Sequence, residues 1–226
     1  MQDIALRPKQ TLSESLETRI IAKPTQSDIE DAVRILNSTW GNFYTVTPEI
    51  MTARFESRQL FIGCYQKGKL VGILETLALQ ADVGRFDAQT PEDNVRLFLD
   101  AIKPQVETYA HVTHKGYWRQ MPRLANALLL IDITVDNSLR NNGAAPKMIE
   151  FGKQLLLEKK DPRLHTIDYV LTFTPDNPII KRWHKKLWAF DTKFTVPHAR
   201  PGYNPEQVNF MCYMAPGYKP KLGMRG

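Results

Sequence analysis

"ALLLIDITVDNSLRNNGAAPKMIEF", residues 127–151, decides the fold. It opens on the most apolar run of the chain, Ala127 to Val135, which reads as a central strand. A polar turn follows, with an arginine, two asparagines and a glycine at positions 140–143. Then comes a helical pattern, Ala144 to Lys160, with Ala145, Met148, Ile149, Gly152, Leu155 and Leu156 on one face. Pro146 has no backbone N–H and is tolerated only in a first turn, so the helix starts directly after Gly143. A helix N-terminus presents N–H groups and the positive end of the peptide dipoles, and both favour a phosphate. Gly143 permits close approach or a positive φ, and Arg140 adds a charge-assisted donor. The junction is therefore either a plain connection that needs a glycine or a cradle for phosphates.

Working outward, "TRIIAKP" (Thr18 to Pro24) reads as a short strand and a turn. "TQSDIEDAVRILNSTW" is an amphipathic helix, with Ser27 as N-cap, Glu30 three residues later, and a stripe of Ile29, Ala32, Val33 and Leu36. "TPEIMTARFES" (Thr47 to Ser57) is a second helix, and "LFIGCYQKGKLVGILETLAL" is a hairpin turning near Gly68. A long insert, about residues 80–123, carries a helical pattern in "PEDNVRLFLDAIK" and a loop rich in His, Tyr and Trp. Past the central strand and helix come strand "TIDYVLTFT", helix "NPIIKRWHKKLW", strand "FDTKFTVP" and strand "QVNFMCYMA". The order β-α-α-β-β-(insert)-β-α-β-α-β-β predicts one α/β (α+β) domain on a mixed sheet over residues 18–214. Residues 1–17 form an N-terminal extension, and 215–226 form a basic C-terminal tail.

Composition sets the outer bounds. The chain has 226 residues, 42% hydrophobic and 24% charged, as in an ordinary globular protein. No stretch reaches the roughly 20 apolar residues of a membrane span, and the first residues lack a signal-peptide core. Cys64 and Cys212 sit in apolar alternating runs and read as reduced core residues, which points to a cytoplasmic setting. A net charge of +6 suits a polyanionic partner. The basic residues are scattered and match no nucleic-acid-binding motif, so no nucleic-acid partner is expected. His111 and His114 in "HVTH" have no third ligand cluster behind them, so no metal is expected.

Arg140-Asn141-Asn142-Gly143-Ala144-Ala145 resembles the Arg/Gln-x-x-Gly-x-Gly/Ala signature of the GCN5-related acetyltransferases. "TPDNPIIKRWHKKLWAF" resembles that family's second landmark, an asparagine followed by a helix carrying an acid/base position. The element order over residues 18–214 is similar too. The resemblance implies a turn whose backbone holds the coenzyme A pyrophosphate, and a CoA thioester, malonyl-CoA or acetyl-CoA, as substrate. It implies CoA contacts at Ile133, Val135, Arg140, Asn142, Gly143, Ala144, Ala145 and Asn177.

The acid position, a tyrosine in conventional members, falls at His184. Ile180, Trp183 and Leu187 face inward by periodicity, while Lys181, Arg182, Lys185 and Lys186 form an outer basic face. "RWHKKLWA" and "VPHARP" resemble the GCN5-related-acetyltransferase-like loading domains of polyketide synthases, and "STWGNFYTVTPEIMTARF" resembles their first helices. That branch decarboxylates malonyl-CoA and acylates the thiol of an acyl carrier protein. The resemblance implies roles for Trp40, Arg200, His184 and a strand-five hydroxyl, Thr172 or Thr174. Two departures stand: the segment between strand five and His184 is shorter, and Arg200 is offset by about one residue.

Two alternatives remain open at this point. One is a conventional N-acetyltransferase moving acetyl to a small amine or protein amine, with Asp132 or Asp136 as base. The other is a non-catalytic acyl-CoA-binding protein that keeps the fold without chemistry.

Overall fold

A run as apolar as Ala127–Val135 forms a stable strand only if both of its faces are covered. In the computed structural model it is the central strand. The structure describes residues 16–41, 45–56, 59–80, 126–175, 177–188, 191–197 and 207–214. In chain order the elements are β1 (Glu17–Ile20), α1 (Gln26–Trp40), α2 (Pro48–Glu56), β2 (Phe61–Gln66), β3 (Lys69–Leu79) and β4 (Ala127–Val135). They continue with α3 (Ala144–Glu158), β5 (Tyr169–Pro175), α4 (Pro178–Trp188), β6 (Asp191–Pro197) and β7 (Gln207–Met214). This is the expected order. The helical pattern at 91–103 and the two terminal segments fall outside the described residues, apart from Leu16 and Glu17.

The seven strands form one mixed sheet in the order β1-β2-β3-β4-β5-β7-β6. Every neighbouring pair is antiparallel except β4 and β5, which are parallel. One face carries α3, seated over Ile62, Cys64, Leu74, Leu128, Leu130 and Val170. The other carries α1 and α2, over Phe61, Tyr65, Leu70 and Ile73. The β2–β3 turn is tight, with Lys67 and Gly68 both at positive φ.

Two details differ from the sequence reading. The N-cap of α1 is Thr25 rather than Ser27, and its capping box closes on Asp28. The Asp28 N–H donates to Thr25 Oγ1 at 3.1 Å, and the Thr25 N–H donates to Asp28 Oδ2 at 2.8 Å. Asp28 also accepts from the Tyr65 hydroxyl at 2.9 Å, so packing against β2 selects the earlier of two similar boxes. In α3 the buried first-turn residue is Ala144, with Ala145 half-buried.

The pairing of β4 positions everything that follows. Opposite β3, Glu75 pairs with Asp132 and Thr76 with Leu130, which leaves Ile131 as an extra residue. Such a bulge bends the strand and reverses its side-chain alternation. Before it, Leu128 and Leu130 face α3; after it, Ile133 and Val135 do. Asp132 and Thr134 are thereby turned toward α1 and α2. Opposite β5, the pairing covers only Ala127–Leu130 against Tyr169–Thr172. Beyond Leu130, β4 stays with β3 while β5 stays with β7 as far as Pro175. The two strands separate where the bulge lies.

Arg34 of α1 holds the far end of β4, pairing with both Asp136 and Asp31. Hydrogen bonds from Ser138 and the Arg34 guanidinium pull the Asp136 carboxyl down to about 2. A carboxyl depressed below its unfolded value stabilises the fold above that value, and the gain is lost on acidification. Asp136→Asn is expected to cost about 1–2 kcal/mol at neutral pH in urea unfolding. The gap from the wild type should close as pH falls from about 4 toward 2.

Candidate functional site

Where β4 and β5 part, a cleft of about 560 Å³ opens, lined by Thr39, Ile133, Thr134, Val135, Leu139, Arg140, Asn141, Gly143, Ala144, Ala145, Pro146 and Trp183. Four elements and one turn contribute: the end of α1, the open part of β4, the turn, the first residues of α3, and α4. The volume lies in the range of small-molecule sites.

The turn is built for close approach. Asp136 caps a short 3-10 turn, Asn137–Leu139, by accepting from the Ser138 N–H at 3.0 Å. Asn141 and Gly143 then both take positive φ, at 69° and 85°. An asparagine tolerates that region and a glycine enters it without strain. A Cβ at Gly143 would meet no atom of the described residues within 4 Å. Helix α3 starts at once, with no side-chain hydrogen bond at its N-cap and no acidic residue in its first turn. The contrast with the closed capping box of α1 is direct: α3 leaves its leading N–H groups and positive dipole end to the cleft.

Of the residues expected to touch CoA, Ile133, Val135, Arg140, Gly143, Ala144 and Ala145 come together in this cleft. Asn142 and Asn177 are not among its lining residues. The Asn142 N–H donates to Leu139 O at 3.2 Å within the turn. Asn177 caps α4, its side-chain oxygen accepting from the Ile179 N–H at 2.8 Å.

Of the residues expected to carry chemistry, Thr172 is buried on β5 at the last rung shared with β4, and its hydroxyl donates to Leu130 O at 3.5 Å. Thr174 is buried two residues further along, on the same face of β5. His184 is buried in α4, 8% exposed, with its ring edge-on to Trp183 at 4.9 Å. Trp183, rather than His184, lines the cleft. Trp40 is the last residue of α1, and its side chain lies outside what the structure describes, as does Arg200. Thr39, Thr134 and Trp183 are cleft residues that the sequence reading did not assign to the site. Trp183 carried a signal, as an inward-facing aromatic beside His184, whereas Thr39 and Thr134 carried none.

Burial pushes the His184 imidazole down to about 4, so it is neutral at pH 7 and presents one N–H donor and one acceptor nitrogen. Burial likewise pushes the Cys64 thiol up to about 11, which makes it a core residue and not a nucleophile. Among the described residues no group of three or more His, Cys, Asp or Glu could hold a metal ion. His111 and His114 lie outside those residues. No described helix is long and apolar enough to cross a membrane.

No protein-family model matches the chain, and no curated protein sequence does. Solved structures do match. The ribosomal-protein-S18-alanine N-acetyltransferase of Escherichia coli aligns over 92% of this chain and 99% of its own, at 12% identity and a TM-score of 0.56. The ribosomal-protein-alanine N-acetyltransferase of Brucella melitensis covers 88% and 99%, at 12% identity and 0.57. The loading GNATL domain of CurA from Lyngbya majuscula covers 88% and 98%, at 13% identity and 0.56. The fold is that of the GCN5-related N-acetyltransferases.

Two measurements check the site. Gly143→Ala forces a positive φ on a Cβ-bearing residue, at a cost of about 1 kcal/mol. It also puts a methyl group into the cleft. With CoA as the probe, calorimetry should read any binding at this cleft at least tenfold weaker in Gly143→Ala than that small destabilisation explains. For His184 the sign follows from a folded value below the ordinary 6.5. Stability present above 6.5 is lost as pH falls toward 4, by on the order of 3 kcal/mol. His184→Gln should unfold in urea with a visibly flatter pH dependence across that window.

Proposed function

We propose that the chain is an acyltransferase that takes its acyl group from a coenzyme A thioester. The observation carrying this reading is that one cleft combines an uncapped helix N-terminus with a stretch of β4 that β5 does not cover. The α3 N-terminus, the Gly143 turn and Arg140 suit a pyrophosphate. The open edge of Ile133–Val135 suits an extended chain bearing amide groups, which would add to the sheet as a further strand does. A pantetheine arm is such a chain. Laid along β4 from the turn, its thioester reaches the point where the strands part, beside Thr172.

The donor would occupy the α3 and α4 side, lined by Ile133, Val135, Gly143 and Trp183. The acceptor would enter from the α1 side, at Thr39 and Thr134. Attack on the thioester carbonyl carbon forms the new bond and breaks the carbon–sulfur bond, with no covalent enzyme intermediate required.

The favoured version is the loading type, in which malonyl-CoA loses CO2 and an acyl carrier protein thiol takes the acetyl group. The electron pair of the broken carbon–carbon bond passes into a thioester enolate, which needs a hydrogen-bond donor at its oxygen and takes a proton from solvent at its carbon to give the acetyl thioester. The candidate donor is the neutral His184 N–H, which lies beside Trp183 and off the cleft lining, so this version requires the Trp183 ring to move aside. Thr172, buried at the last shared rung, is the candidate hydroxyl for the departing carboxylate. Trp40 would supply a dry wall and Arg200 would guide the carboxylate in. The basic residues on the outer face of α4 suit an acidic carrier, and the deeply buried thiol of Cys64 suits a reducing, cytoplasmic setting.

A second reading, N-acyl transfer to an amine, is favoured by a different observation. Asp132 sits buried on the acceptor side, opposite Glu75, which Arg54 neutralises, so Asp132 is the carboxylate there that suits an ammonium group. Asp136 is held by Ser138 and Arg34, which leaves Asp132 as the base of that reading.

Mass spectrometry separates these. With malonyl-CoA and a phosphopantetheinylated carrier protein, the loading version yields acetyl-carrier and CO2, and His184→Ala lowers the yield about 10²-fold or more. Malonyl-CoA left intact, with acetyl-CoA consumed against amines, makes the amine reading correct. CoA bound without turnover of either thioester leaves an acyl-CoA-binding protein.

A further inference from the structure

We propose that Trp183 sets the length of the acyl group that the cleft accepts, and that the donor is a short-chain acyl thioester, acetyl rather than octanoyl. The inference rests on the acyl-transfer reading, deepens it on the donor side, and holds for a thiol or an amine acceptor alike.

The two ends of the cleft differ in chemistry. One is the turn, with Arg140, the left-handed Gly143 and the open N-terminus of α3. The other is the ring of Trp183, and on the donor side the walls between them are apolar: Ile133, Val135, Ala144 and Ala145. A donor held by its pyrophosphate at the turn extends its far end, the acyl group, toward the ring.

Helix geometry places that ring. Trp183 is the sixth residue of α4, which starts at Pro178, three positions after β5 ends at Pro175. A helix joined to its strand so closely runs back along it. Five helical steps of about 1.5 Å carry Trp183 about 7.5 Å down the sheet, the length of two to three strand residues at roughly 3.3 Å each. That is the level of Thr172, at the last rung that β5 shares with β4. The ring therefore stands over the point where the strands part, which is where the thioester arrives.

The cleft ends there. Trp183 packs against the core cluster that holds Leu130, Met148, Ile149 and Val170, and none of these four lines the cleft. From Leu130 and Thr172 back to Ala127 and Tyr169 the two strands are paired, which shuts the gap in the sheet. His184, 8% exposed, meets the ring edge-on at 4.9 Å. One turn further along α4, Leu187 O accepts from Lys153 Nζ of α3 at 3.0 Å, which ties the two helices together. With the ring as it stands, an acyl chain longer than the space before it has to displace packed side chains. Close-packed interiors resist such insertion.

The test uses the full chain with acetyl-, butanoyl-, hexanoyl- and octanoyl-CoA, and pantetheine and a panel of primary amines as acceptors, following CoA release. In the wild type kcat/KM should fall at least about 100-fold from acetyl- to octanoyl-CoA, since each methylene without room costs roughly tenfold or more. Trp183→Leu should raise the octanoyl-to-acetyl ratio at least tenfold, and Trp183→Phe should raise it by less. Both rates in the ratio come from the same folded molecules, so a ring with a merely structural role would lower them alike. Should Trp183→Leu not fold, Trp183→Phe and the wild-type series still decide. A chain that left by the acceptor side would be indifferent to the ring. Octanoyl-CoA used by the wild type as readily as acetyl-CoA, or an unchanged ratio in the variants, therefore overturns the selector alone. No CoA release by the wild type from any of these thioesters overturns the acyl-transfer reading, and the selector with it.

Discussion

Everything at the candidate site depends on the separation of two parallel strands. β4 and β5 share only four rungs, ending at Leu130 and Thr172, after which each follows its other neighbour. A strand edge that has lost its partner inside a folded domain exposes N–H and C=O groups that must be satisfied. Among the described residues the edge faces a cleft and none packs across Ile133–Val135. The bulge at Ile131 sits at the point of departure and bends β4 away from β5. The same extra residue sorts the side chains beyond it: Ile133 and Val135 to the α3 side, Asp132 and Thr134 to the α1 side. One backbone irregularity therefore makes both a cleft and its two chemically different walls.

The helices divide the remaining work. α1 closes its own N-terminus with a complete capping box and is anchored by Asp28 to Tyr65 and by Arg34 to Asp136. α3 does the opposite and begins on a left-handed glycine with no side-chain cap. A helix end left open in this way is a standing demand for an anion. α4 carries Trp183 to the cleft and His184 behind it, in a setting dry enough to keep the imidazole neutral.

Much of this was legible in the chain. Periodicity located every element outside the insert to within a few residues, because the strands and helices are strongly patterned and Gly143 and Pro146 punctuate the central junction. The cap of α1 was not legible. Thr25 with Asp28 and Ser27 with Glu30 are equivalent by spacing, and only the burial of Asp28 against Tyr65 separates them. The bulge was hidden for a different reason. Ile131 lies in a run whose two faces are both buried, so alternation carries no phase that an extra residue could visibly break.

The sequence by itself determined the order of the elements, the turn at 140–143 and the start of α3. Each of these follows from local stereochemistry: a positive φ that glycine accepts, a proline allowed only in a first turn, and apolar spacing at 3.6 or 2 residues. The tertiary structure alone decided which strands part, which way Asp132 and Thr134 face, and that Thr39 and Trp183, 144 positions apart in the chain, line the same cleft. Those outcomes depend on hydrogen-bond register between strands distant in sequence. No local pattern encodes that register where both faces of the central strand are apolar, as they are over Ala127–Ile131.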